Sequence, residues 1–110
     1  MAESPDSFLP LPPATFHILM SLSEEDRHGY AIMQDVETRT AGDLRLSAGT
    51  LYRSIQRMLE QGLLIEVQGD ERRRNYRITA FGTAVARVEA RRLINLVRMA
   101  RATGLVTGKA

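Results

Sequence analysis

The stretch that most restricts this chain is residues 48–78, where the hydrophobic pattern changes from helical to extended across a single glycine. Ser47 is a good N-cap and opens a helical run from Ala48 to Gln61. Gly62 closes it, because glycine accepts the left-handed conformation that ends helices. Leu63-Leu64-Ile65-Glu66-Val67 follows at once, rich in branched apolar residues, and reads as a strand. Gly69-Asp70-Glu71-Arg72-Arg73 is a polar turn, and Arg74-Asn75-Tyr76-Arg77-Ile78 alternates as a second strand. A helix leading straight into a hairpin leaves few arrangements open, since neither element buries its apolar face alone.

The flanking elements fit around that core motif. Pro13 suits the first turn of a helix, and the spacing predicts one over residues 13–22 with Phe16, Leu19, Met20 and Ser23 on one face, flanked by Ile18 and Leu22. Ser23–Arg27 reads as a charged loop. A second helix is predicted over residues 28–40, with Ile32, Met33 and Val36 as its apolar stripe and Gly42 beyond its end. Leu44-Arg45-Leu46 alternates and suggests one short strand. Thr79 caps a long helix over residues 80–102, stopped by Gly104. Residues 1–12 hold three of the four prolines and read as an arm without regular structure, from which Phe8, Leu9 and Leu11 can dock on a core. The expected organisation is an arm at 1–12, a three-helix unit with a hairpin at 13–78, the long helix at 79–104 and a flexible tail at 105–110. The fold class is mainly α with a small β-hairpin.

Several function classes drop out. At 110 residues the chain is one domain, with little room for both a core and a deep cleft. It has no cysteine, so disulfides, thiol catalysis and Cys-based zinc sites are excluded. Asp70 and Glu71 lie on a polar turn with nothing to raise a carboxyl pKa, so they make no acid/base pair, and no nucleotide-binding or nucleophile-elbow motif occurs. No catalytic residue, metal site or cofactor is therefore expected. His28 beside Glu24, Glu25 and Asp26 lacks the second histidine a metal cluster would want, and His17 reads as structural. No apolar run reaches the length of a membrane span, and the acidic, Pro-rich start is unlike a signal peptide. A cytoplasmic location follows as the expectation.

Charge is distributed unevenly. Residues 1–46 carry three Arg against eight acids, while residues 47–110 carry eleven Arg and one Lys against five acids. The second half thus faces an anion. On the third helix Thr50, Arg53, Ser54, Arg57 and Gln61 share one face, opposite Leu51, Ile55, Met58 and Leu59, with Tyr52 at the edge. Such a face suits a major groove, where Arg pairs with guanine and Thr, Ser or Gln reach bases and phosphates. The consecutive Arg72, Arg73 and Arg74 add cations at the hairpin tip. A recognition helix followed by a basic hairpin is the layout of a winged helix-turn-helix. The DNA-contacting set expected from this layout is His28, Tyr30, Ser47, Thr50, Tyr52, Arg53, Ser54, Gln56, Arg57, Arg72, Arg73 and Arg74, with His28 and Tyr30 meeting a phosphate at a helix N-terminus. The alternative is a winged-helix protein-interaction module that does not use DNA.

The residues also resemble a known family, the PadR-family transcriptional regulators. The likeness rests on His28-Gly29-Tyr30-Ala31-Ile32, on Gly49-Thr50-Leu51-Tyr52 with Arg57–Ile65, and on Arg73–Thr79 followed by Gly82. Ala48, Arg53 and Asn75 depart from the residues common at those positions. The resemblance implies a homodimeric, usually repressive protein that binds a double-stranded DNA operator and dimerises mostly through its C-terminal helix. Chains of this size carry a single such helix. Some small members bind flat aromatic compounds between subunits, often through a Trp. This chain has no Trp, so a small-molecule effector site at the dimer interface is expected to be apolar and less suited to flat aromatics.

The long helix supports a dimer independently. Its 23 residues span about 34 Å, more than the preceding unit can cover. The expected interface is Phe16, Met20, Val88, Leu93, Leu96, Val97 and Ala100, a second copy being the economical cover for the far leucines. The alternative is that this helix folds back on its own domain.

Overall fold

The computed structural model describes residues 3–69 and 73–107. Helix α1 spans Pro13–Glu24, β1 Arg27–His28, α2 Gly29–Arg39, α3 Ala48–Glu60, β2 Leu64–Gln68, β3 Arg74–Ile78 and α4 Ala80–Ala102. Helices dominate, and the strands form one antiparallel sheet in the order β1-β3-β2. The β2–β3 hairpin pairs Leu64 with Ile78 and Glu66 with Tyr76; on the other side β3 pairs Tyr76 with Arg27 and Asn75 with His28.

Local chemistry sets the helix ends. Ser47 Oγ accepts the N–H of Thr50 at 3.1 Å, and Thr79 Oγ1 accepts the N–H of Gly82 at 2.9 Å. Each satisfies a donor that the first helical turn would otherwise leave free. Gly62 has a φ of 77°, which lets Leu63 N–H return to the carbonyl of Met58 at 2.9 Å. The chain leaves α3 in this way and enters β2 with Leu63 and Leu64 both buried.

The core joins Ile18, Leu19 and Leu22 of α1, Ile32 and Val36 of α2, and Leu51, Ile55 and Met58 of α3. Tyr76 and Val85 close it from the wing and α4. The inward stripe of α1 is therefore Thr15, Ile18, Leu19 and Leu22; Phe16 and Met20 flank it half-buried, and Ser23 is exposed. That is one residue away from the face expected from periodicity, because Ile18 and Leu22 present the larger apolar surface to α2 and α3.

Three expectations need correction. Leu44–Leu46 is not a strand; it is an extended link with no ladder partner, in which Leu46 alone is buried as an anchor. The third strand is instead Arg27–His28, across the expected boundary between the charged loop and the second helix, and it exists because β3 has a free edge beside it. The arm, which docks through Phe8, Leu9 and Leu11 as expected, also carries regular structure. Pro5–Phe8 form a 3₁₀ turn capped by Ser4, Phe8 packs edge-on against Phe81 with ring centroids 5.4 Å apart, and Leu11 is buried. Leu11 N–H is held at 2.9 Å by Glu89 Oε2, which Arg92 pairs from the next turn of α4. Of the tail, residues 108–110 lie outside the described residues.

Candidate nucleic-acid interface

The α3 surface follows from its packing. Leu51, Ile55 and Met58 are buried, which turns Tyr52, Arg53, Gln56 and Arg57 outward, with Thr50 and Ser54 half-buried beside them. Arg53 and Arg57 have no carboxylate partner among the described residues, whereas Arg27, Arg39, Arg45 and Arg77 are all engaged with acids. Ser47 and Thr50 are tied into the helix cap, their hydroxyls 3.0 Å apart. Their first role is thus to set the start of α3.

The start of α2, the middle of α3 and the wing converge on one cavity of about 520 Å³. It is lined by His28, Gly29, Tyr30, Tyr52, Arg73, Arg74 and Tyr76. Tyr30 is 61% exposed and Tyr52 50%, a high value for such large side chains. Gly29 leaves room for one of them: a Cβ built there would lie 2.8 Å from Tyr52 Cζ, so the ring rests against the start of α2 and a side chain at that position would push it aside. Burial pushes the Tyr76 phenol above its ordinary value, with nearby Glu66 adding to the shift, so Tyr76 stays neutral beneath the cavity.

His28 joins two elements. It is the N-cap of α2, its Nδ1 accepting the N–H of Ala31 at 3.2 Å, and its Nε2 lies 3.0 Å from a terminal nitrogen of Arg73 on the wing. Arg74 reaches Glu66 across the hairpin at 3.5 Å and remains exposed. Arg72 lies outside the described residues. The neighbouring acids are occupied elsewhere: Glu24 and Glu25 with Arg27, and Asp26 with Arg77 through contacts of 2.8–3.1 Å. Among the described residues, no acid lines the cavity itself.

The far half of α4 has another character. Glu89 is its last buried residue. Beyond it Leu93 and Ala100 are half-buried, and Ile94, Leu96, Val97 and Met99 are exposed at 41–58%. Leu93, Leu96, Val97 and Ala100 share one stripe at helical spacing, as expected from the sequence; Ile94 and Met99 widen it and were absent from that expectation. Val88 is half-buried near Leu9, and Phe16 and Met20 lie against the protomer's own core or beside it.

The Transcriptional regulator PadR-like family matches residues 18–88, from the middle of α1 through the first turns of α4. The chain belongs to the PadR-like family of transcriptional regulators. This PadR-like chain is 35% identical over 71 residues to an uncharacterised protein of Lysinibacillus sphaericus, a match covering 61% of this chain and 65% of that one. It thus spans just under two thirds of that relative's length. Among solved structures it is similar to a transcriptional regulator from Clostridium thermocellum, at 26% identity and a TM-score of 0.73, covering 81% of this chain and 87% of the other. It shares its fold with a PadR family transcription regulator from Clostridium difficile, at 20% identity and a TM-score of 0.73, over 84% and 98% of the two chains. Among the described residues, no helix of the regulator is long and apolar enough to cross a membrane.

Proposed function

We propose that this PadR-like regulator binds double-stranded operator DNA as a homodimer and represses transcription until a small-molecule or other signal releases it. The observation that carries the reading is the pair Arg53 and Arg57, exposed on α3 without acid partners among the described residues, in a chain whose wing also exposes Arg73 and Arg74. Unpaired guanidiniums on a helix that a winged fold presents outward suit a major groove, and the wing cations suit the adjoining backbone. Thr50, Ser54, Gln56, Tyr30 and Tyr52 add hydrogen-bonding side chains, and the proposed set extends to Arg72, which lies outside the described residues.

The apolar stripe of α4 supplies the dimer in this scheme. Two copies packed through Leu93, Leu96, Val97 and Ala100, with Val88, Phe16 and Met20 nearer the body, set the distance between recognition helices. That distance has to be about 34–36 Å, or a multiple, for both helices to enter successive major grooves. A ligand between subunits regulates by binding the two spacings unequally. The test is a mobility shift on the DNA upstream of the regulator's own gene with random DNA as competitor. Retention that survives competition is expected; no shift on any duplex contradicts the reading and favours a protein-interaction role.

A further inference from the structure

We infer that His28 and Arg73 clamp a single backbone phosphate of bound DNA, with His28 donating from Nε2. This rests on the DNA reading above and adds a shared target for two residues that the chain separates by 45 positions.

The tautomer carries the inference. A neutral imidazole has one N–H and one acceptor nitrogen. His28 Nδ1 faces the N–H of Ala31, a first-turn helix donor with no other partner among the described residues. Arg73 is exposed and has further N–H groups open to water. The need to satisfy the backbone donor therefore decides the tautomer: Nδ1 accepts and the proton resides on Nε2. Nε2–H and the guanidinium of Arg73 then face each other at 3.0 Å as two donors, with no acceptor between them among the described residues. An oxygen carrying negative charge resolves that conflict, because it accepts from both at once.

The surroundings select the kind of anion. The pair lines the cavity shared with Tyr30, Tyr52 and Arg74, between the start of α2 and the wing. Tyrosine hydroxyls and a second guanidinium fit the several oxygens of a phosphodiester, and the position at the flank of α3 is where a duplex backbone passes when that helix lies in the groove. One phosphate oxygen, or two neighbouring ones, then accepts from both groups.

Asn and Asp both cap helices well, so they separate the capping role of His28 from its donor role. His28→Asn keeps the cap but loses the donor at Nε2. It is expected to keep the thermal unfolding midpoint and to weaken binding to every duplex by about tenfold per protomer. Its salt slope stays near that of the wild type, because no charge is lost. Arg73→Ala flattens the log K versus log salt slope by about 0.9 per protomer. In the double variant His28→Asn costs much less than in the wild type, since the shared phosphate is already released. His28→Asp binds DNA more weakly than His28→Asn, because its carboxylate pairs with Arg73 and repels the phosphate. Imidazole ¹⁵N resonances of the full-length wild type are expected to show the Nε2-protonated tautomer, and millimolar inorganic phosphate without DNA leaves them unchanged. An Nδ1-protonated His28, an unchanged affinity of His28→Asn, or losses that multiply in the double variant would overturn the clamp while DNA binding stands. A response to inorganic phosphate equal to that with DNA assigns the pair to a free anion and overturns it too. A wild type that binds no duplex overturns the DNA reading and the clamp together.

Discussion

Glu89 accepts the backbone N–H of Leu11 at 2.9 Å across 78 residues of chain, and in doing so ties the arm to the middle of α4. The carboxylate is only 2% exposed. Arg92 pairs it from one turn further on, and the ring contact between Phe8 and Phe81 seals the other end of the arm. The latch sits at the point where α4 leaves its own domain, so it fixes the direction in which the exposed apolar half projects.

Loss of the latch is expected to be measurable and dependent on pH. Glu89→Ala orphans the Leu11 N–H and is expected to cost about 1–3 kcal/mol in denaturant unfolding. The hydrogen bond from Arg92 holds the Glu89 carboxyl below its usual value, helped by Leu11 N–H and opposed by burial. A depressed folded-state pKa contributes stability above the unfolded value, about 4.3, and loses it as pH falls through the lower folded value. The difference in stability between wild type and Glu89→Gln is therefore expected to be constant near neutral pH and to shrink below about pH 4. A difference that grows in acid contradicts this account of the latch.

Gly82 is a packing position. A Cβ there would lie 3.1 Å from the carbonyl carbon of Leu63 and 3.0 Å from Ile78 Cγ1, and closer still to the Leu63 oxygen. Backbone cannot yield as a side-chain tip does. Gly82→Ala is expected to lower stability by about 1–3 kcal/mol despite alanine's better helix propensity. Chemical denaturation checks this, and a gain in stability would show that α4 is free to move away from the hairpin.

Arg53 and the wing arginines are expected to fail differently. Arg53→Ala removes a long donor from the exposed face of α3 and is expected to cost about 1–3 kcal/mol while relaxing preference at one position per half-site. Selection from randomised duplexes reads this out. A loss equal for all sequences would move Arg53 from base to backbone.

The apolar end of α4 is expected to govern assembly. Leu96→Glu places a charge in a stripe that includes Leu93, Val97 and Ala100. Sedimentation is expected to show a monomer with lost operator affinity and a largely unchanged helical spectrum. A variant that remains dimeric would place the interface elsewhere.

What the sequence disclosed divides by range. The exposed face of α3 is legible because helical period alone sorts Arg53 and Arg57 from Leu51, Ile55 and Met58. The hairpin is legible because Gly62 and the polar tip punctuate it. β1 is not, since Arg27 and His28 extend only in the company of Tyr76 and Asn75, far along the chain. Leu44–Leu46 misleads because three alternating residues imitate a strand when only Leu46 is buried. The arm's prolines signal irregularity and hide its 3₁₀ turn, whereas its docking is legible in Phe8, Leu9 and Leu11; only the partners Glu89 and Phe81 are not. In the site, Tyr52 over Gly29 and His28 beside Arg73 are likewise long-range contacts; the sequence marks the residues as polar and basic but not as neighbours.

The central claim, that two copies present α3 and the wing to one operator, is tested most directly by footprinting the wild-type protein on its own upstream DNA. The account predicts two equivalent protected patches with centres about 10–10.5 base pairs apart or a multiple of that. A single patch, or no protection at concentrations where the protein is dimeric, would contradict it.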